Sequence, residues 1–309
     1  MHSDLLHFRD WTSEQASKLL AFALDLKNNP DKYGKPLSGK SIVAIFEKPS
    51  LRTRVTFDIG INKLGGHMVY VDSQGEPLKK REAPIDVGAN IAQWADGIVS
   101  RVFEHQTLEE MAAGADIPVV NALCDRYHPC QALADYITIT EADGDLRGKT
   151  LTYVGDGNNV THSLLILGIL LGVNQKVITP KGHEIDSEIA DFVKNKASEM
   201  SVTVEFSNNL EDAANSDYIY TDTWLSMGDN TPLSQIKDKF MAYQVNDDLM
   251  QSSGARFVLH CQPAHRDLEI SGQLMDSEKS LLMQEAGNRL HAQNAILTYL
   301  LTNLSLDSF

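Results

Sequence analysis

The sequence predicts an α/β protein of two domains, each a mostly parallel sheet flanked by helices. Three observations carry this reading. The 309 residues amount to about two typical domains. Short β-rich runs alternate with longer segments of helical period, first over one half of the chain and then over the other. Between the halves lies a polar stretch with two glycines, residues 142–149, that fits neither pattern. A content of 42% hydrophobic and 22% charged residues is that of a globular chain, not a disordered one.

The elements follow in order. Residues 12–27 repeat apolar side chains at helical spacing, and Ser13 can cap them. Residues 41–46 are a β-rich run, with a helical pattern from about Arg52. Residues 68–71 are the next strand, 86–94 a helix and 97–103 extended. Residues 107–113 are helical, 119–120 extended and 131–141 helical. In the second half, 150–154, 176–179, 203–206, 218–220 and 257–260 read as strands. Residues 160–171, 187–200 and 289–301 read as helices. The longest apolar stretch, 164–173, is far short of the roughly 20 residues a membrane helix needs.

The formal net charge is -15, from 27 Lys and Arg against 42 Asp and Glu. Nucleic acids and anionic membranes select basic surfaces, so neither is an expected partner. A small anionic substrate stays open, because it needs only a few local cations. Three cysteines, Cys124, Cys130 and Cys261, are too few for a disulfide framework. With a polar, mixed N-terminus they point to a reducing, cytoplasmic setting.

Five segments could carry chemistry. Ser50, Leu51, Arg52, Thr53 and Arg54 follow a strand and open a helix. Outward-pointing helix N–H groups, hydroxyl donors and planar guanidinium forks together make an anion site. The same pattern also serves an ordinary capped helix with two solvated arginines. His128 and Gln131 share one helical face behind Pro129, and both can hydrogen-bond a carbonyl. A buried structural histidine fits the same residues, and a metal set of Cys124, His128 and Cys130 matches no structural zinc spacing.

The third segment, Gly155-Asp-Gly-Asn-Asn159, looks like a dinucleotide-binding turn but has Val160 in place of the third glycine. Asn158 and Asn159 lie at the carboxyl end of a strand, where open α/β sheets bind ligands. Asp222 follows another strand and can hold an ammonium group, with Ser226, Met227 and Gly228 in the loop beyond; a plain turn is the simpler alternative. Cys261 follows the last strand beside His260 and Gln262. Neighbouring strand residues face opposite ways, so His260 need not activate Cys261.

Taken together and in this order, Ser50-Leu-Arg-Thr-Arg54, His128-Pro-Cys-Gln131, Ser226-Met-Gly228 and His260-Cys-Gln-Pro263 resemble the motifs of ornithine carbamoyltransferases, within the aspartate/ornithine carbamoyltransferase family. The resemblance covers nearly the whole chain. It implies a carbamoyl phosphate-binding domain, residues 1–141 with the C-terminal helix 289–309, and an ornithine-binding domain, residues 150–288. It implies that Ser50, Leu51, Arg52, Thr53, Arg54, Arg101, His128, Gln131, Cys261, Gln262 and Arg289 bind carbamoyl phosphate. Asn159, Asp222, Ser226 and Met227 would hold ornithine, and Arg101, His128 and Cys261 would act at the reacting centre. It also implies homotrimers with active sites at subunit interfaces, and a reaction that uses no metal or other cofactor. Four features depart from the family pattern. Leu51 stands for Met or Thr, Gln262 for Leu and Gly287 for Glu, and residues 73–84 fit poorly to the loop that neighbouring subunits contribute. A non-catalytic paralogue, a nicotinamide dehydrogenase and a carbamoyltransferase for another amine are the competing readings.

Overall fold

The β-rich runs pair as parallel strands in two separate sheets. The structure, a computed structural model, describes residues 4–224, 232–302 and 304–309. It divides into two units: Met1–Ile137 with Asn288–Phe309, and Thr138–Gly287.

The first unit runs α1 (Ser13–Asn28), α2 (Pro30–Tyr33), β1 (Ser41–Phe46), α3 (Leu51–Lys63), β2 (His67–Asp72), α4 (Pro84–Ile91), β3 (Gly97–Arg101), α5 (His105–Gly114), β4 (Val119–Leu123) and the start of α6 (Pro129–Asp143). Its sheet has the order β2-β1-β3-β4, parallel throughout. Every residue of β3 is buried, as expected for a parallel strand covered on both faces. The cap of α1 is Thr12, not Ser13. Thr12 Oγ1 accepts from the Gln15 amide at 3.2 Å, and Gln15 Oε1 accepts from the Thr12 amide at 2.9 Å. This reciprocal pair needs a long polar side chain three residues after the cap. Gln15 supplies it for Thr12, whereas Ala16 stands at that place for Ser13.

The second unit runs β5 (Thr150–Val154), α7 (Asn159–Leu170), β6 (Asn174–Ile178), α8 (Ser187–Met200), β7 (Val204–Ser207), β8 (Tyr218–Thr221), α9 (Leu233–Phe240), α10 (Asp247–Ser253), β9 (Phe257–His260), α11 (Gly272–Met275) and the start of α12 (Leu282–Leu301). The sheet order is β7-β6-β5-β8-β9, again parallel. Helix α7 is buried from Val160 to Leu170, so the long apolar stretch belongs to a core helix. No helix among the described residues is long and apolar enough to cross a membrane. Helix α12 starts at Leu282, seven residues before the sequence reading placed it. Gly287 is a weak helix former, but Leu282 and Glu285 are each 1% exposed and anchor the extra turns by burial.

Each sheet has one place where the winding reverses. In the first, β1 continues outward to β2 while β3 returns to its other side. In the second, β5 continues to β6 while β8 lies on its other side. Loops leaving the carboxyl ends of the strands diverge at such points and leave a ligand crevice. The two reversals therefore single out the ends of β1 and β3, and of β5 and β8.

Close packing of α4 on α5 depends on two glycines. A Cβ on Gly88 would stand 2.2 Å from the Met111 carbonyl oxygen, and one on Gly114 2.0 Å from that of Ile85. Both neighbours are backbone and cannot swing away. Gly88→Ala is therefore expected to destabilise the protein by about 1–3 kcal/mol, although alanine is the better helix former. A urea midpoint equal to or above that of the parent would contradict this packing account.

Candidate active site

At the reversal of the first sheet, β1 ends in Phe46, which pairs with Arg101 at the end of β3. The chain leaves β1 through Glu47 and Lys48 and enters α3 at Ser50. Ser50 is the N-cap, with Oγ accepting from the Thr53 amide at 3.3 Å. Its hydroxyl hydrogen can still be donated, and the N–H groups of the first turn point out of the helix end. Glu47 is 1% exposed and ties this corner together. Its two carboxylate oxygens accept from the amides of Leu78 (2.5 Å) and Phe103 (2.7 Å), fastening residues 73–84 and the exit of β3 to the same place.

Helices α6 and α12 bring in the remaining groups of this unit. Arg289 is 5% exposed and donates to Thr53 Oγ1 at 2.7 Å and to Gln131 Oε1. Gln131 in turn donates to Asp135 at 2.7 Å. The structure thus joins Thr53, Gln131 and Arg289, which lie up to 236 positions apart in sequence. Burial holds the His128 imidazole well below its ordinary pKa, and the charges of Arg289 and Arg101 push it further the same way. His128 is thus a neutral ring that can donate one N–H to a carbonyl. Lys48 feels the same field: burial and then Arg101 lower its pKa. Lys48 carries no local signal of this setting in the sequence, although it stands two residues before Ser50. Arg54 lies differently, exposed and stacked on Tyr70 of β2 at 3.9 Å from the ring centre. Arg52 is half-buried, and Leu51 is exposed and offers only its backbone to the helix end.

At the reversal of the second sheet, β8 delivers Asp222 and β5 leads into α7. Asp222 accepts from Asn158 Nδ2 at 2.9 Å and from the Cys261 thiol at 2.9 Å. Asn158, not Asn159, makes this contact. Its Oδ1 also caps α7 through the amides of Val160 and Thr161. Asn159 Oδ1 accepts from the adjacent Val160 amide at 3.0 Å. An Asn opening a helix is a capping signal, but two adjacent Asn carry it equally, and only the structure shows that Asn158 is the cap. Ser226 and Met227 lie outside the described residues.

His260 does not serve as a base for Cys261. Its Nδ1 accepts from the Gln262 amide at 2.9 Å, and its Nε2 faces Glu269 Oε1 at 3.2 Å. Gln262 has φ +56° and precedes a cis peptide bond to Pro263. Asp222, His260 and Cys261 are close enough to share a metal ion, with donor atoms within 4.8 Å of one another. Both ring nitrogens of His260 are nevertheless already engaged. The spacing-based set of Cys124, His128 and Cys130 disperses: Cys124 Sγ meets His105 Nδ1 at 3.3 Å and Cys130 Sγ donates to Asn121 O at 3.4 Å. Burial pushes these two thiols up to about 11 and about 12, which leaves them unreactive.

The turn 155–159 also argues against a dinucleotide. A Cβ on Gly157 would lie 2.5–2.8 Å from the backbone of His183, Glu184 and Ile185. The glycine makes room for the chain's own loop, and its amide donates to His183 O at 2.9 Å.

Residues 3–141 match the model of the aspartate/ornithine carbamoyltransferase carbamoyl-P binding domain, and residues 147–300 that of the Asp/Orn binding domain. The chain belongs to the aspartate/ornithine carbamoyltransferase family. It is 51% identical to the ornithine carbamoyltransferase of Moritella abyssi over 298 residues, covering 96% of this chain and 99% of the relative, and equally so to that of Vibrio sp. (strain 2693). Ornithine carbamoyltransferase from Pyrococcus furiosus superposes with a TM-score of 0.92 at 38% identity, covering 98% of both chains.

Two histidines of the first unit tie stability to pH. Burial lowers His105 to about 4, helped by His7 and Arg126, and lowers His128 as described. Both bind a proton more readily when unfolded. The stability tied to these neutral rings is present in full above about pH 6.5 and, for His105, is lost as pH falls toward 4, by at most about 1.4 kcal/mol per pH unit. Urea midpoints between pH 7 and pH 5 should fall, and fall less steeply in His105→Gln. Parallel slopes would exclude His105 as a source.

Proposed function

We propose that the protein transfers the carbamoyl group of carbamoyl phosphate to the δ-amine of L-ornithine, giving L-citrulline and phosphate. The observation that carries this reading is the division of labour between the two units. Cations, a helix N-terminus and a neutral imidazole gather at one sheet reversal, and a carboxylate with a thiol gathers at the other. Membership of the family and the names of the relatives support it.

In this reading Ser50, Thr53 and the first amides of α3 bind the phosphate with Arg52, Arg54, Arg101 and Arg289. Charge grows on the phosphate oxygens as the C–O bond breaks, and preorganised cations stabilise that charge more than the ground state. Lys48 adds a cation sensitive to the same field. Gln131 binds the carbamoyl group through its amide. His128, kept neutral, donates a hydrogen bond to the carbamoyl carbonyl without giving up its proton.

The nucleophile must be a neutral amine. An alkylammonium with a pKa of about 10.4 costs roughly 4.6 kcal/mol to deprotonate at pH 7. A carboxylate beside it would raise that cost, so Asp222 holds the α-ammonium while Cys261 and the Gln262 carbonyl orient the δ-amine. Asn158, which fixes Asp222, belongs to this acceptor set together with Asn159, Ser226 and Met227.

The proposed assembly is a homotrimer. Leu51, Val55 and Ile59 form an exposed apolar stripe on α3, 42–76% accessible at a spacing of four. Val69 and Val71 of neighbouring β2 are 43% and 41% exposed. Three free, buried cysteines fit the proposed cytoplasmic setting.

Measured side by side, ornithine should release phosphate from carbamoyl phosphate, with N-acetylornithine, putrescine and aspartate far behind. Preference for another of these amines would overturn the acceptor assignment. Arg101→Ala should lower kcat about 100- to 1,000-fold, and Asp222→Ala should raise the ornithine KM about tenfold or more. An unchanged ornithine KM in the second variant would remove Asp222 from the acceptor set. Turnover at subsaturating ornithine should rise between about pH 7 and pH 8.5, and a flat profile would rule out rate control by amine ionisation.

A further inference from the structure

Glu285 lies in the first turn of α12, buried to 1% exposure, and the reading above gives it no role. One carboxylate oxygen accepts from the His260 amide at 2.9 Å, and the other accepts from the Tyr220 hydroxyl at 3.3 Å. These partners sit at the ends of two paired strands, where Tyr220 faces Leu259 and Thr221 faces His260. Two residues beyond Tyr220 is Asp222, and directly after His260 is Cys261. Their side chains meet at 2.9 Å. Glu269 completes the grip on His260 from the other direction, accepting from the His265 amide while facing the His260 ring.

We propose that Glu285 is a positioning residue for the reaction. It sets where the ends of β8 and β9 stop, and so where the Cys261 thiol and the Asp222 carboxylate stand. The His260 amide is the last ladder group before Cys261, and no further strand accepts from it. Without Glu285 this buried donor would have to find another acceptor, and the backbone before Cys261 would turn to reach one. The carboxylate does not touch the reacting atoms. It acts through His260 on one side and Tyr220 on the other. The inference rests on the assignment of Asp222 and Cys261 to the acceptor half.

Glu285→Gln keeps an oxygen for the His260 amide and an amide NH2 that can donate to the Tyr220 hydroxyl oxygen. It should leave kcat within about threefold of the parent. Glu285→Met keeps the volume and removes both acceptors. It should lower kcat about tenfold or more, with the carbamoyl phosphate KM unchanged. Tyr220→Phe deletes one hydrogen bond and should cost a few-fold, which keeps the idea testable if the Met variant does not fold. The second readout needs no turnover. Cys261 alkylation by iodoacetamide, mapped by peptide mass spectrometry, should speed up about fivefold or more in Glu285→Met and not in Glu285→Gln. Parent-like kcat and alkylation in Glu285→Met, with only a lowered melting temperature, would overturn the positioning role. Changed alkylation in a protein that does not use ornithine would uphold it and defeat the acceptor reading instead.

Discussion

A guanidinium taken out of water must be met by oxygen atoms, and Arg289 shows what the first unit spends on that requirement. Its nitrogens reach Thr53 on α3 and Gln131 on α6. A hydroxyl in the first turn of α3 and the side-chain amide of Gln131 are thereby fixed by a single planar fork. Both of those acceptors are neutral. The positive charge also acts beyond these two acceptors. It depresses His128, as does Arg101, and Arg101 depresses Lys48. A helix end, two buried arginines and a destabilised ammonium concentrate positive potential within a chain whose net charge is -15.

The second unit solves a different problem with the opposite charge. Asp222 is 5% exposed, and its oxygens accept from the Asn158 side-chain amide, the Cys261 thiol and the Thr223 backbone amide, none of which carries a positive charge. Neutral donors order the carboxylate, which suits the ammonium-binding role proposed for it. Behind it, the buried carboxylates of Glu285 and Glu269 contact the end of β9 through the His260 amide and ring.

Much of this was legible in the sequence because parallel strands buried on both faces leave short, dense apolar runs. The run at 41–46 and the one at 150–154 coincide with β1 and β5 to the residue. Helix ends were less legible. Thr12 displaced Ser13 as cap because of a side chain three residues on, and α12 begins at Leu282 because burial outweighs the cost of Gly287. The four-residue helices α2 and α11 have no periodicity long enough to read. Among site residues, the helix-opening motif at Ser50 carried its own local signal. Lys48 and Glu285 did not: their settings are made by Arg101 and by His260 and Tyr220, remote positions that no local spacing reveals. Asn158 differed from Asn159 only in which of two adjacent side chains caps α7.

The two sheet reversals also divide the targets open to mutation. In the proposed reading, the groups that the first sheet gathers answer to a phosphate and a carbonyl, chemistry that is the same whichever amine is carbamoylated. In that reading Asp222 and Asn158 answer to the amine. Changes in the loop after β8 or the turn after β9 can therefore alter which nucleophile is accepted while the machinery for the leaving group stays intact. Selection, natural or in the laboratory, can explore new acceptors in the second unit from a starting point that already breaks the carbamoyl–phosphate bond.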